Sequence, residues 1–139
     1  MKTTDELQKV LENSDDLEKY LSDNFDDINN ITFTEYIEKC LTDNGISKSS
    51  VIEQSNIQKN YAYQIFDGSK NPSRDKVLAL AFSMKLDIPE TNRLLKLSNN
   101  SVLYPRIKRD SIICFALKQS NSLMDANILL DEMGERIIE

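Results

Sequence analysis

Apolar residues recur at every third or fourth position through most of this 139-residue chain. In the segment ITFTEYIEKCLTDNG they are Phe33, Tyr36, Ile37, Cys40 and Leu41, which would share one face of an α-helix. No stretch of the sequence shows the sustained alternation of apolar and polar residues that a half-buried β-strand requires. The chain is therefore predicted to be all-α, with seven or eight short helices.

Glycines and capping residues predict where these helices begin and end. Gly45, Gly68 and Gly134 each follow an apolar pattern, in the place of a left-handed residue just beyond a helix C-terminus. Residues that can cap a helix N-terminus precede the patterns, namely Thr3, Asp15, Ser47, Ser73, Asp87, Asp110 and Ser122. The predicted helices span 4–13, 15–24, 48–55, 58–66, 74–85 and 88–97, and two more run from Asp110 and Ser122 to about residues 119 and 133.

Composition and length indicate a globular protein of one domain, with room for a small appended element. The longest apolar runs, 77–82 and 112–117, are far shorter than the roughly 20 residues that cross a bilayer. The N-terminus MKTTDELQKVLENSDD is acidic and lacks the apolar core of a secretory signal. We therefore expect a cytoplasmic protein without a membrane partner.

The residue types present argue against catalysis. The chain has no histidine, which removes Ser/His and Cys/His nucleophiles and histidine metal sites. Cys40 and Cys114 lie within apolar helical patterns, so buried thiols are expected rather than a disulfide or a metal site. Carboxylate chemistry stays formally open, although so many acidic residues usually form a solvated surface. We expect no enzyme, no catalytic residue, no metal and no cofactor.

Charge is distributed unevenly along the chain. Residues 1–30 contain 3 Lys or Arg against 9 Asp or Glu (net -6), and residues 31–44 contain 1 against 3 (net -2). Residues 45–112 contain 11 against 6 (net +5), and residues 113–139 contain 2 against 5 (net -3), which recovers the overall -6. The acidic average therefore conceals a basic middle that suits a polyanionic partner.

Within that basic middle, helices 48–55 and 58–66 are separated by two or three residues around Asn56. So short a connection requires a steep crossing of the two helices, and Asn tolerates the left-handed conformation that such a turn needs. In the second helix the inward positions are Ile57, Ala62, Ile65 and Phe66. The outward positions are Lys59, Asn60, Tyr63, Gln64 and Asp67.

Amides and a lysine on the outward face of such a second helix are the groups that read base edges in the major groove. Residues on either side of that helix, Lys48, Ser69, Lys70, Asn71 and Arg74, would then reach backbone phosphates and set the register. The alternative is an ordinary surface helix, because any such helix has polar residues outward. Tyr63, like Tyr61, could equally be a packing residue.

The segment GISKSSVIEQSNIQKNYAYQIFDGSKNPSRDKVLALAFSMKLDI resembles the helix-turn-helix domain of the Cro/phage-repressor (XRE) family of bacterial regulators. The residues that follow the family pattern without gaps are Gly45, Ile46, Ser47, Val51, Ile57, Ala62, Ile65, Gly68, Asn71 and Pro72, followed by the helix of residues 77–86. The likeness covers about residues 33–97. It departs from the pattern at Ile52, Asn56 and Phe66, which stand where the family usually has a small residue, a glycine and a glutamate.

The resemblance implies a lambda-repressor-like five-helix domain over residues 31–98 and a sequence-specific DNA-binding transcriptional regulator, with repression the favoured mode. Carried over by position, the base-contacting places are Lys59, Asn60 and Gln64, with Tyr63 beside them. The implied phosphate contacts are Lys48, Gln58, Ser69, Lys70 and Asn71, and Arg74 is added from its position in the next helix. Double-stranded DNA is the expected partner, and a homodimer would match palindromic half-sites.

Two flanking segments remain outside that domain. Residues 1–30 are predicted to form acidic helices that bind a protein partner, cover the basic face or only enlarge the soluble surface. Residues 99–139 are predicted to form a helical hairpin packed on the domain, on the N-terminal helices or on a second subunit. The alternative to a DNA-binding regulator is a protein-interaction module or an antitoxin-like regulator whose acidic N-terminal helices hold the partner.

Overall fold

The computed structural model describes residues 3–12 and 31–139, and all regular structure within them is helical. In chain order the helices are α1 Thr4–Glu12, α2 Phe33–Asn44, α3 Lys48–Gln54, α4 Lys59–Asp67, α5 Arg74–Ser83, α6 Ile88–Leu97, α7 Lys108–Lys118 and α8 Leu123–Glu132. This confirms the all-α prediction. The chain divides into two compact units, Met1–Thr32 and Phe33–Glu139.

In the first unit the structure describes α1. This helix begins after Thr3, whose Oγ1 accepts a hydrogen bond from the Glu6 N–H at 3.1 Å, as a capping residue does. Asp5 and Glu6 in its first turn are exposed and carry the favourable sign of charge for a helix N-terminus. The second predicted N-terminal helix, 15–24, lies outside the described residues.

The second unit is built around α5, which is buried on every side. Residues 77–83 are all buried there, so the continuous apolar run reflects a central position rather than an amphipathic surface helix. Helices α3, α6 and α8 pack against α5, while α2 packs on α4 and α6. The resulting core includes Ile37, Val51, Ile65, Leu80 and Leu94, each fully buried.

Most helix boundaries follow the capping pattern. Ser47, Asp87 and Ser122 each accept a backbone N–H from the third residue on, and Asp87 forms a full capping box with Glu90. Gly45, Gly68 and Gly134 are all left-handed, as predicted. Ser73 holds the cap position of α5 without a side-chain capping bond.

The predicted start of α7 at Asp110 is wrong. The helix begins two residues earlier, at Lys108, with Ile107 in the cap position. Asp110 is 1% exposed and accepts hydrogen bonds from other parts of the fold instead of capping its own helix. An aspartate that can cap a helix therefore serves here as the acceptor of a tertiary ion pair.

The C-terminal hairpin is formed by α7 and α8, which pack on each other, on α6 and on α5. Its inner faces are apolar and buried, with Ile113, Ala116 and Leu117 on α7 and Leu130 on α8. Several of its apolar side chains are exposed in the described part of the chain. Met124 on α8 is 70% exposed, and the other large exposed side chains of the hairpin are Phe115, Ile128 and Met133.

Candidate nucleic-acid interface

The turn between α3 and α4 has the left-handed conformation that its sequence predicts. Asn56 has a φ of 59°, and Ser55 beside it is buried. The Ser55 Oγ donates to the Ile52 carbonyl at 2.7 Å and accepts from the Ile57 N–H at 3.3 Å. One hydroxyl thus joins the last turn of α3 to the approach of α4, which holds the two helices in a defined crossing.

Helix α4 presents its polar residues outward, as predicted from the sequence. Ile57, Ala62, Ile65 and Phe66 are buried, and Ala62 and Ile65 have no exposed surface. The four residues predicted to contact bases are all exposed: Lys59, Asn60, Tyr63 and Gln64. Tyr63 is 39% exposed, so its ring lies partly against the fold while part of it faces solvent.

Helix α4 begins at Lys59 rather than at residue 58, because Gln58 is its cap. The Gln58 Oε1 accepts the Tyr61 N–H at 2.7 Å, which satisfies one of the free donors of the first turn. Gln58 remains exposed. The predicted phosphate contact at Gln58 is therefore placed at a helix N-terminus, where N–H groups and the helix dipole favour an anion.

Lys48 lies at the start of α3 and already has two neighbours. Its Nζ is 2.6 Å from Glu38 Oε1 and 5.2 Å from the centroid of the Phe66 ring. The Lys48 and Glu38 side chains are 36% and 48% exposed, so solvent and salt weaken this ion pair. A phosphate can therefore compete with Glu38 for the Lys48 ammonium.

The turn after α4 contains three predicted phosphate contacts with different surroundings. Ser69 donates its N–H and its hydroxyl to Asp67, and these hydrogen bonds lower the pKa of the Asp67 carboxyl. The Asn71 Nδ2 donates to the Ser98 carbonyl at 3.2 Å. Lys70 is exposed. Among the three, Lys70 is the residue whose side chain points a charge into solvent without such an internal bond.

Arg74, the contact added from geometry, is engaged inside the fold. Its guanidinium makes four hydrogen bonds: two to Asp110, at 2.9 and 2.8 Å, and one each to the carbonyls of Ser101 and Val102. These bonds fasten α5 to α7 and to the loop before it. Because its donors are used in this way, Arg74 could bind a phosphate only by giving up these internal hydrogen bonds.

A second ion pair, between Arg109 and Asp75, lies beside the Arg74–Asp110 pair. It was not predicted from the sequence. Arg109 donates from Nη1 and Nη2 to the Asp75 carboxylate at 3.2 and 3.0 Å. The dipeptide Arg-Asp thus occurs twice, at 74–75 in α5 and at 109–110 in α7, and each arginine pairs with the aspartate of the other helix. We call this arrangement the crossed ion pairs. The repeated dipeptide was the only sequence signal for it.

Electrostatics within the crossed ion pairs favour the ionised form of Asp110. Burial by itself would raise the pKa of Asp110, but hydrogen bonds from Arg74 and from the Tyr104 N–H outweigh it and hold that pKa below its usual value. The Tyr104 N–H lies 2.9 Å from Asp110 Oδ2. Asp110 therefore carries a charge at neutral pH although it is almost fully buried.

The cysteines show no sign of a reactive site. Both are free thiols, Cys40 buried and Cys114 partly buried. Burial raises the pKa of the Cys40 thiol to about 12 and raises that of Cys114 as well. Over residues 3–12 and 31–139, no group of three or more acidic or cysteine side chains is arranged to hold a metal ion. In the same part of the chain, no helix has the length and apolar character needed to span a bilayer.

The chain matches no protein-family model, no curated protein and no solved structure. Evidence on its function therefore comes from its own residues and from their arrangement.

Proposed function

We propose that this protein is a sequence-specific DNA-binding transcriptional regulator that reads the major groove with α4. The observation that carries the proposal is the pair α3 and α4, joined at the left-handed Asn56, with Lys59, Asn60 and Gln64 exposed on the second helix. In this proposal α2 to α6 form a domain of the phage-repressor kind, and the protein acts without catalysis.

The proposed reading residues match the spacing of base pairs. Asn60 and Gln64 are four residues apart on α4, which corresponds to about 6 Å along the helix axis. With about 3.4 Å between successive bases of one strand, their amides would meet base pairs one or two steps apart. Each amide can bond bidentately to adenine, and Lys59 can donate to the acceptors of guanine.

The proposed phosphate contacts reduce to fewer residues than the sequence suggests. Lys48, Gln58 and Lys70 border α4 and keep groups that can reach a phosphate. Lys48 is held by an exposed ion pair and by its contact with the Phe66 ring. Gln58 uses only its Oε1 for the cap, and Lys70 is exposed. Ser69 and Asn71 would each have to exchange an internal partner, Asp67 or the Ser98 carbonyl, for a phosphate oxygen. We therefore propose that Lys48 and Lys70 carry most of the charge-dependent affinity.

Selection of bound sequences from a random pool of DNA duplexes tests the proposal. A short enriched motif is expected, and a palindromic one would indicate two copies of the protein on each site. The absence of any enrichment at low salt would overturn the proposal. The selection also supplies the duplex on which variants are compared.

Two variants then separate base reading from phosphate binding. Lys70→Ala is expected to reduce the slope of log affinity against log salt by about 0.9, because one fewer counterion is released. Gln64→Ala is expected to cost about 1–3 kcal/mol, chiefly at one base pair of the motif. Lys118→Ala, which removes an exposed lysine of α7, is the matched control and should leave the slope unchanged. Equal weakening of all sequences by Gln64→Ala would contradict a reading role.

The acidic N-terminal segment supports a second candidate function, the binding of a protein partner. Residues 1–30 carry a net charge of -6, and Asp5 and Glu6 in the first turn of α1 are exposed. Deleting residues 1–30 should abolish partner capture under this candidate. The same deletion should leave DNA affinity unchanged or improved if the segment has no part in reading DNA.

A further inference from the structure

The residues after α8 form an irregular segment that side chains hold in place. In the 136–139 segment, Ile138 is 3% exposed. The Asn127 side chain of α8 donates from Nδ2 to the Ile138 carbonyl at 3.0 Å and accepts the Ile138 N–H at Oδ1 at 2.8 Å. Two opposed residues of neighbouring antiparallel strands form the same pair of hydrogen bonds, one donated and one accepted by each residue. Asn127 therefore binds the segment as a neighbouring strand would.

The crossed ion pairs hold the rest of the same segment. Arg109 donates from Nε to the Arg136 carbonyl at 2.8 Å and from Nη2 to the Ile137 carbonyl at 3.1 Å. Asp75 accepts the Glu139 N–H at 3.3 Å. Five backbone groups of four consecutive residues thus find side-chain partners on α5, α7 and α8.

These contacts define a receptor for a peptide. Every hydrogen bond goes to the peptide backbone, and one buried side chain, Ile138, supplies the apolar anchor. Proteins bind extended peptides by the same combination. Hydrogen bonds to the peptide backbone give affinity, and a pocket for a side chain gives specificity. None of the contacts depends on the covalent link between the segment and α8.

Space remains beside the bound segment. A cavity of about 290 Å³ is lined by residues 137–139, by the turn residues Ser55, Asn56 and Ile57, and by Lys76 and Ala79 of α5. The link to α8 passes through Gly134, which has a φ of 76° and open space where a Cβ would stand. A segment with empty space beside it and a glycine in the link to α8 makes fewer packing contacts to lose on leaving.

We propose that the groove between α5, α7 and α8 is a peptide-binding site that accepts the 136–139 segment of a second copy of this chain, so that two copies exchange these segments. A second copy is the occupant because it carries the one peptide whose fit the structure displays. The chain's own segment competes for this groove at an effective concentration of the order of millimolar. In dilute solution each chain therefore binds its own segment and stays monomeric. Exchange of an identical element is a known low-cost route to a dimer. This inference does not depend on DNA binding.

A peptide-binding measurement tests the receptor. The full-length variant Ile138→Asp, whose own segment is expelled, is the receptor, and the probe is a fluorescein-labelled, C-terminally amidated peptide of residues 133–139. Saturable anisotropy is expected, at least tenfold tighter than for the same peptide with Asp in place of Ile138. Adding Asn127→Ala to the receptor should weaken binding at least tenfold. Equal binding of the two peptides, or no binding by a receptor with native helical circular dichroism, would overturn the proposal.

Sedimentation of the wild-type chain tests the identity of the occupant. A dimer is expected to appear as the protein concentration approaches about 1 mM, where the second copy matches the effective concentration of the chain's own segment. Ile138→Asp should abolish that dimer, whereas the mixture of wild type and Ile138→Asp should retain a mixed one. A wild-type chain that stays monomeric would refute segment exchange even if the peptide binds. If Ile138→Asp loses its helical signal, Ile138→Ser replaces it in both experiments.

Discussion

Replacing Asp110 with Asn should destabilise the fold strongly, because it removes the buried charge that three donors share. Asp110 accepts two hydrogen bonds from Arg74 and one from the Tyr104 N–H, and it is 1% exposed. Asn has nearly the same shape, so the change leaves little cavity. It substitutes an NH2 group for one of the oxygens that accept from Arg74, and it removes the negative charge.

The contacts indicate the size of the effect. Breaking a buried ion pair by changing one partner costs about 3–5 kcal/mol. The Arg74 side chain is 23% exposed and keeps the carbonyls of Ser101 and Val102, so it is neither fully desolvated nor without acceptors. Asn also keeps one acceptor oxygen. The lower end of the range applies, and we expect a loss of about 3 kcal/mol in the free energy of unfolding.

Urea unfolding followed by circular dichroism measures this loss as a lower midpoint at unchanged slope. The matched control is Asp131→Asn, which changes an exposed aspartate of α8 and should alter stability by less than about 0.5 kcal/mol. A double-mutant cycle with Arg74→Met should give a coupling of about 2 kcal/mol. A loss below about 1 kcal/mol for Asp110→Asn, or a coupling near zero, would show that the Arg74–Asp110 pair does not hold α5 to α7.

Four further perturbations test separate features. Because the pKa of Asp110 is lower in the folded state, its stabilising effect is present above its unfolded pKa of about 3.9 and is lost as pH falls through the folded value. The wild-type chain should therefore lose more stability than Asp110→Asn on acidification below about pH 4, and parallel curves in acid unfolding would contradict this. Asn56→Val should cost about 1–2 kcal/mol in urea unfolding because Asn56 has a φ of 59°, whereas Asn56→Gly should cost little; similar losses for both would argue against a backbone cause. Gly68→Ala should cost at least about 1 kcal/mol by the same measurement, because Gly68 has a φ of 87° and the new Cβ would lie 3.3 Å from Thr34 Cγ2. The Cys40 thiol, buried and with its pKa raised to about 12, should react with a disulfide reagent only after unfolding, and fast labelling of the native protein would show that α2 opens.

The faces of the helices were predictable from local order alone. In α4 the spacing of Ala62, Ile65 and Phe66 places them inward, and the structure buries all three, as it does Ile57 just before the helix. The reason is that residues three and four positions apart share a face of any helix, independently of the tertiary structure. The left-handed turn at Asn56 and the caps at Ser47 and Asp87 were predictable for the same reason, since their bonds join residues within three positions of each other.

Ion-pair partners that lie far apart in the chain were not predictable from local order. Arg74 has the position of a phosphate contact and Asp110 the position of a cap, yet they bind each other across 36 residues. Local patterns indicate which side chains face inward. They do not indicate which inward-facing basic residue pairs with which inward-facing acidic residue. That choice depends on how α5 and α7 are brought together, and desolvation then requires each buried charge to find a partner.

The same division explains the site and the segment beside it. Helical periodicity was enough to place Lys59, Asn60 and Gln64 on the outer face of α4, because exposure follows from the apolar face opposite them. No periodicity marks the 136–139 segment, which has neither helix nor strand order. Its place is decided by Asn127, Arg109 and Asp75, which converge only when three helices have packed. Hydrogen-bond partners for an irregular segment arise from tertiary structure, whereas the faces of a helix are already present in its sequence.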